Sequence, residues 1–381
     1  MLNAGFFPEK WPVVSLGDAV TFLDNLRKPV KASDRVEGDY LYYGANGVQG
    51  TINEFIFDEP LLLLAEDGGH FGNPDRDIAY IAQGKYWVNN HAHVLKPNAG
   101  LDLNFLYRVL QRYDVTPFIK GATRAKLTKG DAETIPIPLP PLAEQQRIAA
   151  ILDKADAIRR KRQQAIQLAD EFLRAVFLDM FGDPITNPKE WEVRPLADVA
   201  KITTGNTPSR AEASYYGDHI EWIKSDNINT PSHFLTKAAE HLSEEGMAAG
   251  RVVPEGSILV TCIAGSFDCI GNAAIADRPV SFNQQINALT PKPNVNRWFL
   301  YSLILFSKKL IQSASTNSMK GMVSKGSMEK IEVIFPPEDL QVKFEKLFQG
   351  YLKSMNSMCD SAEKLSESFN SLSQKAFKGE L

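Results

Sequence analysis

The side chains able to do chemistry are few and poorly grouped. His91 and His93 stand two apart in YWVNNHAHVLKP, a spacing that puts both on one face of a strand and would let them approach one metal ion. No carboxylate or cysteine beside them completes a ligand set, so a plain strand face is the better reading. Cys262 and Cys269 are too far apart for a zinc-type CxxC pair, and no second pair follows. With Cys359 they fit a reducing compartment, the first two as small buried hydrophobes. GANGVQG, residues 44–50, lacks the spacing and the strand-then-helix setting of a phosphate loop and reads as turns. DGGHFGN, residues 67–73, has no identifiable nucleophile or base to work with. Asn73-Pro74-Asp75 lacks the second proline and the aromatic of an adenine methyltransferase motif, and no carboxylate–lysine cluster marks a nuclease. The expectation is no catalytic residue and no metal, which favours a role in binding.

Charge bears on what is bound only once its distribution is read. The net charge of −4 and pI near 6.0 argue mildly against a nucleic-acid partner when taken alone. Yet no Asp or Glu occurs from Arg278 to Met328, which holds Arg278, Lys292, Arg297, Lys308, Lys309, Lys320 and Lys325. In Leu103–Gly130 the basic Arg108, Arg112, Lys120, Arg124, Lys126 and Lys129 meet only Asp114. A basic run is usually a solvated face; its recurrence at the same place in both halves points to two phosphate-binding surfaces. Phosphate contacts would give affinity and register, and base-edge contacts specificity. Asn and Gln suit adenine edges, which makes Gln284 and Gln285, with their counterparts Asn90 and His91, candidate readers. A structural role at a strand end fits that pair equally well.

The elements that must carry these residues come in two copies. WPVVSLGD from Trp11 resembles WEVRPLAD from Trp191, an offset of 180. NFLY from Asn104 resembles WFLY from Trp298, and Trp87–His93 lines up with Ser281–Asn287, both at an offset of 194. IPIPLPPLAEQQRIAAIL from Ile135 matches IEVIFPPEDLQVKFEKLF from Ile331 at 196. Ordered matches at slowly growing offsets mean colinear duplication. Each half reads as a strand-and-helix start, β-rich sequence with Gly and Asn turns, an apolar strand, a helix, a basic loop, and a proline-marked strand feeding a long helix. The domains expected are residues 1–141, a helix over 142–183, residues 184–337, and a second helix over 338–381. In the second helix Phe344, Phe348, Tyr351, Met355, Met358, Ala362, Leu365, Phe369, Leu372 and Ala376 step alternately by four and three, a heptad seam. The same positions in the first are Ile148, Leu152, Ala155, Arg159, Arg162, Ile166, Ala169, Leu173, Val176 and Met180. Arg159 and Arg162 break it, as a polar layer or a drift of the seam onto Ile158 and Ala165. Helices of this length would span roughly 60 Å, and antiparallel pairing would put a globular half at each end of a rod. No apolar run is long enough to cross a bilayer, and MLNAGFFPEKWPVV lacks the pattern of a secretory signal. A cytoplasmic location is expected.

These residues carry a resemblance. IPIPLPPLAEQQRIAAILDKADAIRRKRQQ with FLRAVFLDMFGDP resembles the central helical spacer of type I restriction–modification specificity subunits. EDGGHFGN with YWVNNHAHVLKP, and SFNQQINAL with FLYSLI, resemble their target-recognition domains. The resemblance covers essentially the whole chain. It implies an α+β fold with two β-rich mixed α/β target-recognition domains in pseudo-twofold arrangement, separated by two long helices paired as an antiparallel coiled coil. It further implies no chemistry in this chain, one half of a bipartite double-stranded DNA target read by each domain, and spacer helices that set the gap. Those helices would dock two adenine methyltransferase (modification) subunits, and two restriction/translocase subunits could add. S-adenosylmethionine and ATP would belong to those partners, none being bound here. The second join departs from the first, PPEDLQVKFEKLF for PPLAEQQRIAAIL, so the two docking faces need not be equivalent. A specificity subunit of a fused methyltransferase–nuclease, a scaffold whose globular ends bind protein, and an enzyme of duplicated domains stay open as alternatives.

Overall fold

The computed structural model describes residues 2, 3, 5, 7–119, 125–315 and 321–381. It divides into two units, Met1–Gln164 with Asp360–Leu381, and Ala165–Cys359. In the first, Leu61–Ala65 is buried at every position, which is why it reads as an unbroken apolar run and lies inside its sheet. Its neighbours are Ala92–Pro97 and Ala79–Ala82, and Val20–Phe22 lies outside Ala92–Pro97; all pairs are antiparallel. A second sheet joins the hairpin of Tyr40–Gly44 and Gly47–Ile52 to Tyr86–Val88, the last pair parallel. The glycine-rich run at 44–50 is the turn and return of this hairpin, with Gly47 and Gly50 at positive φ. Val13–Ser15 pairs with Pro136–Pro138; two strands leave every outer edge unpaired, so the prolines remove no ladder bond to a third strand.

The second unit repeats this register residue for residue. Val13 faces Pro138 as Val193 faces Ile334. Val20 faces Pro97 as Ala200 faces Pro291. Leu64 faces His93 as Val260 faces Asn287, and Tyr42 faces Trp87 as Trp222 faces Ser281. The offsets 180, 194 and 196 seen in the sequence are therefore strand registers.

The join has a physical basis in one residue type. Leu142–Phe181 and Glu338–Phe377 are each continuous 40-residue helices, and each starts after a Pro-Pro step. Gln145, one turn in, is fully buried. Its Oε1 accepts from the Asp102 amide at 2.8 Å, and its Nε2 donates to the Gly100 and Pro140 carbonyls at 2.9 and 2.8 Å. Asp102 is the N-cap of the helix Leu103–Leu110. In the second unit Gln341, also fully buried, accepts from the Asn296 amide at 2.9 Å and donates to the Pro336 carbonyl at 2.9 Å. Asn296 is the N-cap of Arg297–Phe306. The second join thus keeps the polar detail that matters, at the expected offset of 196, while its exposed residues differ.

Within each unit the two long-helix segments run in opposite directions. In the first, Arg147 donates to the Leu381 carbonyl, and Arg159 lies over the Phe369 ring. In the second, Phe181 packs on Phe344 while Asp170 accepts from the Tyr351 hydroxyl. Of the seam residues, Ile148, Leu152 and Phe369 belong to the first unit's core with Leu372 partly buried against it, and Leu173, Phe344 and Phe348 to the second's with Val176 and Tyr351 at its margin. Ile166, Met355, Met358 and Leu365 are half-buried. Beyond Leu173 the buried stripe follows Phe177 and Phe181, one residue on from Val176 and Met180, since a strict heptad lags a straight helix by about 20° per repeat and the extra residue makes up the accumulated lag. Ile158 is exposed, so no drift onto it occurs. Arg159 instead folds onto Asp156, and the RRKR run is a polar layer there. The second unit also holds a hydrogen-bonded chain. Tyr351 gives its proton to Asp170, so its oxygen accepts from His233 Nε2, and His233 Nδ1 accepts from Tyr301. Burial pushes His233 below the ordinary histidine range, consistent with that neutral form.

Replacing Gln145 or Gln341 by Leu strands buried backbone groups, at about 1–3 kcal/mol for each left unsatisfied. Urea denaturation of either variant is expected to show a loss of that order, against little change for the exposed neighbour Gln146→Leu.

Candidate nucleic-acid interface

The basic residues singled out by sequence separate into two groups. Arg108 is not available to a phosphate: it is 8% exposed and spans Asp153, Asp156 and Gln111. Asp156 is itself buried and also receives Arg159 and Arg160. Burial alone would raise its carboxyl pKa; the hydrogen bond from Arg159 and the charges of Arg108 and Arg160 outweigh it and hold the group below the usual carboxylate range. Arg112 is half-buried against Asp77. A sequence count of basic residues cannot see such internal pairing.

Lys129 and Lys325, in contrast, are exposed at equivalent positions. Each opens a short helix, Lys129–Glu133 and Lys325–Glu329, capped by Thr128 and Ser324. Each lies 3.6 Å from its own glutamate, Glu133 or Glu329, a loose exposed pair that a phosphate can displace at little cost. Lys126 is half-exposed and 3.0 Å from Glu66. Lys309 is exposed, and Lys308 reaches the Asn272 side chain at 2.6 Å and the Asp268 carbonyl. Lys120, Arg124 and Lys320 lie outside the described residues.

The candidate readers sit on matched turns. Asn89 accepts from the His91 amide through its side chain, as Asn283 does from the Gln285 amide. The next strand is thereby started at the same place in each unit, with Glu66 and Cys262 amides bonded to the His91 and Gln285 carbonyls. Gln284 is exposed and its Oε1 accepts from the Thr207 hydroxyl; Gln285 accepts from the Asn283 side chain at 3.1 Å. Gln285 therefore helps to hold the turn, and Gln284 faces outward. Asn90 is exposed.

His91 and His93 do not share an environment. His91 precedes the strand, partly exposed and hydrogen-bonded to Asp67, whereas His93 is fully buried. Both do have carboxylates beside them, brought from distant sequence, which corrects the expectation that none is near. His93 Nδ1 lies 2.6 Å from Asp24 Oδ2 and its Nε2 2.9 Å from the Leu127 carbonyl. Asp24, Glu66 and His93 come close enough to hold a cation, but the charge there is already balanced. Arg27 lies 2.6 Å from Glu66 and 3.1 Å from Asp24, and Lys126 completes the set. Those side chains fit an ion-paired cluster, not a metal centre.

The paired units, with basic loop ends at equivalent places, match a known family. The model for the type I restriction modification DNA specificity domain matches twice, over residues 8–168 and 188–358. The chain belongs to that family. Such specificity subunits are non-catalytic DNA-recognition subunits of type I restriction–modification systems, and that is the role of this chain. A Haemophilus influenzae chain provisionally assigned as a type I restriction enzyme specificity subunit is 28% identical over 353 residues, 91% of this chain and 88% of that one. The EcoKI specificity subunit of Escherichia coli K12 is 22% identical over 438 residues, covering 100% of this chain and 91% of its own length. The fold matches the crystal structure of the type I restriction–modification S subunit from M. genitalium with a TM-score of 0.60 at 16% identity, covering 99% of this chain and 98% of that one. Among the described residues no helix is long and apolar enough to cross a membrane.

In this specificity subunit Arg108→Ala is expected to destabilise the first unit by about 2–3 kcal/mol, below the full cost of an orphaned buried charge because Arg159 and Arg160 remain. The depressed Asp156 pKa contributes stability above the unfolded carboxylate value of about 3.9, lost as pH falls through the folded value. Denaturation at neutral and acid pH should therefore show the two proteins converging as pH drops.

Proposed function

We propose that each unit reads one half of a split double-stranded DNA target and that the two long helices dock two adenine methyltransferase subunits, to which two restriction/translocase subunits can add. The observation that carries this reading is the duplicated register. Two recognition units that share their strand registers, each ending its basic segment on the same lysine-led helix, suit a target of two separated halves. Affinity would come from Lys129, Lys325 and the neighbouring lysines, and specificity from side chains such as Gln284 and Asn90 at the turns. S-adenosylmethionine and ATP would be bound by the partner subunits, which also carry the chemistry.

Co-expression with a methyltransferase subunit, followed by genome-wide mapping of methylated bases, is expected to reveal one adenine-containing motif split by a fixed gap of unspecified bases. A contiguous motif, or no methylation, would sink the split-target reading. In the purified complex, replacing Lys129 and Lys325 together by Ala should weaken DNA binding and reduce the slope of log affinity against log salt by about 2, near 0.9 for each phosphate no longer neutralised. An unchanged slope would take both lysines out of the interface.

A further inference from the structure

The Asp24–His93 pair has a counterpart that does the same work with different chemistry. Register places Asn287 where His93 stands, and the offset of 180 places Thr204 where Asp24 stands. Thr204 donates to Asn287 Oδ1 at 2.6 Å, and Asn287 Nδ2 faces the Val323 carbonyl at 3.4 Å. Val323 is the equivalent of Leu127, and each follows a bridge of the same kind, Asp67 to Lys126 and Ile263 to Met322. Both His93 and Asn287 are buried. In each unit a buried side chain on the central sheet therefore reaches across to one backbone carbonyl, between the candidate DNA-binding residues at the end of the basic segment. Leu127 lies between Lys126 and Lys129, and Val323 lies two residues before Lys325.

His93 faces a carboxylate at Nδ1, Asp24, and a backbone carbonyl at Nε2, that of Leu127. The charged groups around it are Asp24, Arg27, Glu66 and Lys126. The second unit has Thr204, Thr207, Cys262, Asn287 and Met322 at the corresponding places, all without charge.

We infer that His93 and Asn287 are positioning residues, each setting the chain at Leu127 or Val323 so that its own unit presents the neighbouring described lysines, Lys126 and Lys129 or Lys325, to one half-site. The inference rests on the split-target reading. It assigns each residue an effect on one half of the target only, which a general loss of stability would not produce.

The test uses the complex with methyltransferase subunits and DNA duplexes carrying single-base changes in either half of the mapped motif. His93→Leu is expected to lower discrimination between correct and changed bases about tenfold in one half, the size of one mismatch penalty, and to leave the other half unaffected. Asn287→Leu should move the loss to the other half. Asp24→Thr, Arg27→Thr, Glu66→Cys and His93→Asn together, which install the second unit's own uncharged set around the anchor, should restore discrimination to within about threefold of wild type, on the same scale. Should His93→Leu fail to fold, Asn287→Leu and the fourfold exchange still decide the matter. Equal loss in both halves, or no loss in either, would overturn the inference. A wild-type complex that methylates no split motif would instead overturn the reading beneath it.

Discussion

A buried primary amide fixes the joint on which each unit depends. Where the proline-marked strand turns into a long helix, the backbone presents an amide to be accepted from and carbonyls to be donated to, all away from water. Glutamine offers an acceptor and two donors on one side chain; glutamate could not donate, and a methionine or leucine could do neither. Gln145 and Gln341 thereby lock the start of the long helix to the capped start of another helix in the same unit. The direction of the long helix relative to its own sheet follows from that lock, and so does the burial of Ile148 and Leu152 in one unit and of Phe344 and Phe348 in the other.

The two units share a backbone register but not a way of filling polar positions. The first carries Asp24, Arg27, Glu66, His93 and Lys126 around the loop anchor, where the second carries uncharged residues. Arg108 and Asp156 repeat the pattern: at the same offsets the second unit has Ser302, fully buried, and Leu352, partly buried against its core. Two separate places have thus changed as whole sets. Buried charges explain why, since removing one member leaves the rest uncompensated, while replacing the full set by neutral groups is tolerated. Duplicated scaffolds can diverge in this blockwise manner without disturbing the strands that support them.

The duplication was legible in the sequence because offsets between repeats are strand registers, and a register slip would turn a buried face outward. The Pro-Pro step gave the helix starts for a similar reason: proline fits a first turn and ends what precedes it. Side-chain roles were harder to read. Arg108 counts as a basic residue in any linear tally, and only the packed helix reveals the aspartates that absorb its charge. His93 finds Asp24 across 69 residues of sequence, so no local pattern could announce the pair. Gln341 was within reach, standing at the offset of Gln145, but differing neighbours in PPEDLQV concealed that the one essential amide is kept. Phe177 and Phe181 escaped for a geometric reason, as a seam of strict heptads and a straight helix drift apart over several turns.

The split of the chain between units has a consequence for how it is made. Ala165–Cys359 is contiguous, so the second unit has all its residues as soon as that stretch has been synthesised. The first unit begins earlier but includes Phe369, Ala376 and Phe377 in its core, and these emerge after the whole of the second unit. Until then the apolar flank of its helix around Ile148, Ala149 and Leu152 has no complete cover, a state that invites chaperones or wrong pairings. The unit that starts first on the ribosome is finished last.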